Sequence, residues 1–349
     1  MKIRNLKYLL SFSIPASVAF SFTQEGWLSF FPLLYAFAFI PALEVVLRTD
    51  ARNMDKLERE TAAKDKTFDW LLYLTVPLQY IFLFWFVYIL SQENLWSTEF
   101  FGRILSFGLL CGVLGINVAH ELGHRSNKFE QNLSKLLLFT SLYSHFFIEH
   151  NQGHHKNVAT DEDPATARYN EWLYIFWFRS MIFSYLSAWE IQIKNLKHRR
   201  LSFFCLKNEM LFFMLIQLGF ILLIFIFLSW EIALGFVLAG IFGGILLETV
   251  NYIEHYGLKR EKVSENRYED VRPKHSWNSN HLVGRVMLFE LTRHSDHHAN
   301  PHKKYQILEN HKENPQLPGG YPGMMLLSMF PPLFFWIMNP ILKKELPSN

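Results

Sequence analysis

Residues 211–252 read LFFMLIQLGFILLIFIFLSWEIALGFVLAGIFGGILLETVNY and contain no lysine or arginine. A run this apolar is too long for one buried helix. It divides at Trp230 and Glu231 into segments 211–229 and 232–252, each long enough to cross about 30 Å of hydrocarbon. Working outward, the same reading gives spans at 8–22, 27–47, 70–91 and 102–119. The expected fold is therefore an all-α integral membrane protein with six transmembrane helices, forming one membrane-embedded domain over residues 1–349. Composition agrees: of 349 residues, 50% are hydrophobic and 17% aromatic, against 19% charged. That excludes a disordered chain, a collagen and a disulfide scaffold. Cys111 and Cys205 are too far apart in sequence to suggest a metal-binding pair by spacing.

Lys2, Arg4 and Lys7 ahead of the first span would also suit a signal peptide, with Ser17 and Ala19 near a poor cleavage site. A retained helix is the better reading, because a second span follows almost at once. The links at 23–26, 92–99 and 230–231 hold no lysine or arginine, whereas the link at 48–69 holds Arg48, Arg52, Lys56, Arg59, Lys64 and Lys66. The positive-inside rule then places both termini on the cytoplasmic side of the inner membrane, with Arg103 as the one misfit. Glu25, Glu93, Glu99 and Glu231 lie outside, so a chain of net charge +3 carries an excess of seven positive charges elsewhere. The total gives no argument for nucleic acid. Three further apolar stretches, 133–148, 172–189 and 324–338, carry Lys135, Arg179 and the pair Pro331 and Pro332, and are expected at the interface or against the cytoplasmic regions. Those regions are about 120–209 and 254–349.

Nine of the fifteen histidines fall in four clusters: His120 and His124 in HELGHR; His150, His154 and His155 in EHNQGHH; His255 in NYIEHYGL; and His294, His297 and His298 in RHSDHHAN. At about 100° per residue, positions i, i+3 and i+4 share a helix face, so each cluster aims its imidazoles together. His155 lies further round, and Gly153 offers a place for the helix to bend. The fourth and sixth spans run in the same direction, which brings His120 and His255 out at similar depth on the cytoplasmic side. Nine neutral imidazoles suffice for two metal ions. His145, His198, His275, His281, His302 and His311 stand alone, and among them His281 is the best candidate to support a ligand.

HELGH also fits H-E-x-x-H, the zinc protease pattern with Glu121 as general base. That reading leaves seven clustered histidines unused. The carboxylate-bridged di-iron pattern needs two Glu-x-x-His motifs, and only Glu121 to His124 supplies one. Imidazole suits iron, zinc, copper and nickel alike, so the residues themselves name no metal.

HELGHR, EHNQGHHKNVATDEDPATAR, NYIEHYGL and HSWNSNHLVGRVMLFELTRHSDHHANPHKKYQ together resemble the integral-membrane alkane 1-monooxygenases, and the likeness runs on to LPGGYPGMMLLSMFPP. Fatty-acid desaturases and sterol hydroxylases share the histidine boxes more loosely, whereas NYIEHYGL and the HSWNSNH to HSDHHA block resemble the alkane hydroxylases and their alkylaromatic-oxidising relatives more closely. The resemblance implies a non-haem di-iron enzyme that uses O₂ to hydroxylate the terminal carbon of an n-alkane. Electrons would come from NAD(P)H through a reductase and rubredoxin, and the nine clustered histidines would be the iron ligands. Arg125 stands where the family often has lysine, and Asp161 where it often has proline; neither is a proposed ligand.

An alkane has no polar group, so its binding rests on burial, about 0.8 kcal/mol per methylene, in a slot open to lipid. Regiochemistry must come from positioning. Glu121, Glu149, Glu254 and Asp296 adjoin ligands and are candidates to orient them. The basic face, with Arg168, Arg199 and Arg200, would suit an acidic electron carrier. Some relatives place a bulky Trp near position 36 to limit slot depth; Ala36 is small, which points to longer substrates.

Overall fold

A computed structural model describes residues 3–265 and 267–345. The chain ends, on which the placement of both termini and the charge of Lys2 bear, lie outside the described residues. Among the described residues, five helices are long and apolar enough to cross a bilayer: α2 (Gly26–Val46), α4 (Thr67–Leu90), α5 (Thr98–Gly123), α9 (Glu209–Phe227) and α10 (Trp230–His255). Each lies within a few residues of its expected span. The first expected span, 8–22, is helical as part of α1 (3–22), but its first half is a 3-10 helix and it is not among the five. The remaining helices are α3 (Lys56–Lys64), α6 (Lys128–Thr140), α7 (146–157), α8 (Leu173–His198), α11 (Leu282–Met287), α12 (His294–Ala299), α13 (Tyr321–Ser328) and α14 (Pro331–Glu345). A two-stranded ribbon, Lys262–Ser264 with Arg267–Tyr268, is a small addition to the all-helical expectation.

Helices α5 and α10 form the axis of the fold. They approach so closely that a Cβ on Gly108 would lie 2.7 Å from the Ala239 carbonyl, and one on Gly112 3.1 Å from that of Gly243. Both contacts have the same offset along the two chains, so the helices run in one direction, and continuing that offset sets His124 opposite His255. The sequence expectation of equal depth follows from this packing.

Residues 128–157, which contain the expected interfacial or buried stretch 133–148, pack closely on the central helices. Helix α6 runs back along α5, with Ser134 donating to the Ala119 carbonyl at 2.6 Å and Thr140 beside Cys111. The tip at 141–143 sits against Gly240 and Gly244 of α10, where any side chain would clash. That is about 20 Å along the helix from His255, at 1.5 Å per residue. Helix α7 then returns toward the histidine level, so 128–157 is a re-entrant hairpin that leaves His150 and His294 on one side. The hairpin is accommodated because two glycines open the surface of α10.

Helix α8 leans on α10 through Trp177 to Thr249 at 3.0 Å and Ser180 to Glu248 at 2.5 Å. Its other face exposes Ile175, Phe178, Ile182 and Phe183, and Arg179 is folded back onto Glu171 and the Pro164 and Thr166 carbonyls. Pro331 starts α14 rather than breaking a longer helix. Arg103, the topological misfit, is buried at the far end, where Glu93 at 3.0 Å and the carbonyls of Ser21 and Gln24 satisfy its guanidinium. Trp27, Trp96 and Trp230 are exposed at that same end, the pattern of an interfacial aromatic belt.

Candidate metal centre

All nine clustered histidines converge. Their nitrogens form two groups, each within 4.8 Å internally: His120, His124, His150, His155 and His297 in one, and His154, His255, His294 and His298 in the other. The groups abut, with the His155 and His298 rings stacked at 4.3 Å. None of the six lone histidines joins either group among the described residues.

The partition depends on local backbone geometry. Residues His150–His154 form a π-helical turn, whose i to i+5 repeat carries His150 and His155 into the first group and sends His154 to the second. Helix α12 splits in the same way: His294 and His298, one turn apart, face the second group, while His297 faces the first. Just before α12, Phe289 and Glu290 both adopt positive φ, 51° and 57°, a strained conformation for residues with side chains. Glu290 is held there by Tyr8 at 2.7 Å, Lys7 at 2.9 Å and Arg285 at 2.7 Å. The N-terminal helix thereby braces the loop that delivers His294.

The residues fit a metal pair on three grounds. Burial pushes His124, His150, His155, His294, His297 and His298 well below the usual imidazole range, so they are neutral donors. The Nε2 atoms of His120 and His154 are buried without a hydrogen-bond partner, an expensive arrangement unless a metal takes the lone pair. Neighbouring Nε2 atoms lie 3.1 Å apart for His124 and His150, 3.0 Å for His150 and His155, and 2.9 Å for His294 and His298. Two ligands about 2.1 Å from one metal at a right angle would be separated by about 3.0 Å.

Of the expected supporting groups, only Glu254 reaches a clustered imidazole, 3.2 Å from His294 Nε2, while its other oxygen accepts from Tyr321 at 2.7 Å. Glu121 accepts from Arg125 at 2.7 Å and from the Tyr305 backbone, so it is committed away from the site, which also removes the general base of the protease reading. Asp296 binds Lys303 and His311 and ties down the loop after α12. Glu149 is buried beside the site, and His281 bonds Ser279. The group the sequence reading missed is Asp163, whose carboxylate lies 2.9 Å from His154 Nδ1 and accepts from Thr166 at 2.6 Å. Burial alone would raise Asp163, but His154 and Thr166 outweigh it and hold the carboxylate below its usual range. It stands in the quoted ATDEDPATAR stretch, eight residues beyond the histidine box, where only a fold could pair it. Ser276 lies 3.4 Å from His255 Nδ1.

A narrow cavity runs from His120, His150, His294 and Glu254 to Ala36, Gly112 and Leu246. Its walls are apolar except near the histidines, where Asn117, Asn251 and Tyr321 appear. Ala36 lies in a π-helical segment, Tyr35–Phe39, and is buried.

Fold and site together define a protein of membrane-spanning helices with a buried all-histidine site able to hold metal at the end of an apolar cavity. Residues 94–328 match the fatty acid desaturase family. The chain is 38% identical over 319 residues to alkane 1-monooxygenase of Pseudomonas putida, covering 91% of this chain and 79% of that protein. It is 39% identical to alkane 1-monooxygenase 2 of Pseudomonas aeruginosa, over 87% and 81% of the two chains. It is 27% identical to the xylene/toluene monooxygenase hydroxylase component of Pseudomonas putida, over 67% and 62%. The chain belongs to the alkane 1-monooxygenase family and is a monooxygenase.

Proposed function

We propose that the protein converts n-alkanes to 1-alkanols with O₂ at a di-iron centre, one metal held by His120, His124, His150, His155 and His297 and the other by His154, His255, His294 and His298. The observation that carries this reading is the meeting of two all-nitrogen groups at one end of an apolar cavity. Iron, when bound, supplies the oxidising power that a C–H bond requires.

The protein's own contribution is geometry and dielectric. The aliphatic walls around Ala36, Ile40 and Leu246 bind the chain by burial alone. The polar groups Asn117, Asn251 and Tyr321, gathered at the histidine end, leave the rest of the slot with nothing to attract water, so an alkyl chain lies along it with one terminus toward the histidines. Methylene C–H bonds are weaker than the terminal ones, so this end-on placement must set the regiochemistry. Asp163 fixes the tautomer of His154 by accepting from Nδ1 and leaving Nε2 free.

In the same proposal α1 is the sixth span, the histidine face is cytoplasmic, and the membrane is the inner membrane with both termini inside. Arg168, Arg199 and Arg200, all exposed, would meet a rubredoxin-type carrier passing electrons from NAD(P)H and its reductase. The test is to incubate membranes holding the protein with C8 to C16 alkanes, rubredoxin, its reductase and NADH, and to identify alcohols and count iron. The expected result is 1-alkanols and two irons per chain, with His255→Ala losing iron and turnover. Internal alcohols, alkenes, or full iron in His255→Ala would overturn it.

A further inference from the structure

A second, much smaller cavity lies against the histidines, with about 10 Å³ open to the centre of a water molecule, room for a single water. Its lining includes Tyr143, His145, Glu149, His154, Ser184 and Glu248, a polar set unlike the walls of the alkane slot. Phe146, His150 and Asn251 line both cavities and form the partition between them. The carboxylate of Glu248 is satisfied by Tyr143 at 2.8 Å and Ser180 at 2.5 Å. Two other buried atoms at this cavity, Glu149 Oε1 and His145 Nε2, have no partner. A buried polar atom left unpaired costs about 1–3 kcal/mol. A polar cavity with such atoms is where internal water is held, each molecule making two to four hydrogen bonds.

The cavity also lies close to the surface. Ser187, close to Glu149, lines a large open groove together with Gly153, Lys156, Asp163 and Glu190. Gly153 lets the carboxylate approach closely, since a Cβ there would sit 2.5 Å from Glu149 Oε1. The Glu149 carboxylate, which lines the cavity and packs against Gly153 of the groove wall, stands between the two.

The proposed reaction gives this cavity a use. An alkane, O₂, two electrons and two protons yield an alcohol and one water, so each turnover must admit two protons and release a water. The alkane slot is apolar and filled by substrate when this happens. We propose that the polar cavity holds water and, with the groove beyond Ser187, forms the path for protons in and product water out, separate from the path of the alkane. This inference rests on the monooxygenase reading above.

Ser184, on α8, faces the cavity and belongs to neither histidine group. Ser184→Leu should fill the cavity while leaving metal content and alkane KM as in the wild type. Turnover should fall several-fold, more hydrogen peroxide should appear per NADH consumed, and the slowing in D₂O should grow. Ser184→Ala, which keeps the cavity open, should match the wild type. Independently of activity, a high-resolution map of the wild-type protein should show ordered water beside Glu149 and His145, absent in Ser184→Leu. A cavity without water, Ser184→Leu with normal turnover and coupling, or Ser184→Ala as impaired as Ser184→Leu would each overturn the proposal. A wild-type protein that makes no alcohol would instead overturn the alkane reading.

Discussion

Replacing Ala36 by tryptophan tests the alkane slot most directly. The lining runs from Gly112 to His120 on α5 and from Leu246 to Glu254 on α10. Eight residues at 1.5 Å each give a slot about 12 Å long. With single bonds near 1.5 Å in a zigzag, each carbon advances about 1.3 Å, so the slot takes roughly nine carbons in extended form. Ala36 is the lining residue of α2 furthest from the histidines by position along its helix, and its methyl is buried. An indole there would fill the far end. If it displaces four methylenes, at about 0.8 kcal/mol each, longer alkanes lose about 3 kcal/mol, or roughly 200-fold in kcat/KM, while alkanes that stop short of position 36 are spared. The assay is competitive turnover of C5, C8 and C12 alkanes by membranes matched for iron content, with alcohols resolved by chain length. An unchanged product profile in Ala36→Trp, with iron retained, would refute the placement of the slot.

Asp163→Asn should weaken metal retention or activity roughly 10- to 100-fold, the usual cost of losing a carboxylate behind a ligating histidine, as read by iron content after dialysis against a chelator. Metal-free protein in detergent should lose stability below pH 6.5. His124, His150, His155, His294, His297 and His298 are held neutral by burial, so the unfolded chain takes up protons there that the folded chain refuses, at up to roughly 1.4 kcal/mol per pH unit for each; a melting temperature flat from pH 7 to 5 would contradict this. Arg103→Leu should destabilise the fold by about 3–5 kcal/mol, because it strands the partly buried Glu93 and two carbonyls, whereas a thermal melt equal to wild type would show that the guanidinium is dispensable.

The membrane helices were legible because crossing a bilayer is a local property: an uninterrupted apolar segment of the right length suffices, and five of the expected segments reappear within a few residues. The nine histidines were legible as a set for a related reason, since clusters at helical spacing on segments of known direction must meet at one end. Their division into five and four was not legible. It depends on the π-helical turn at His150–His154, which changes which residues share a face and whose main local trace is Gly153. The contacts of the supporting groups were only partly legible. Sequence adjacency pointed to Glu121 and Asp296, but a residue beside a ligand on a helix points away from it, and these two carboxylates pair with Arg125, Lys303 and His311 instead. Asp163 reaches His154 only because the chain turns back after the π-helical segment. The re-entrant hairpin, the bracing of Glu290 by Tyr8, and the pairing of Arg103 with Glu93 likewise join residues distant in sequence, and hydropathy carries no record of which partner will be close. Sequence thus determined what the chain dissolves in and which atoms are available to bind metal; tertiary packing decided which of those atoms face one another, because that depends on helix offsets of a single residue.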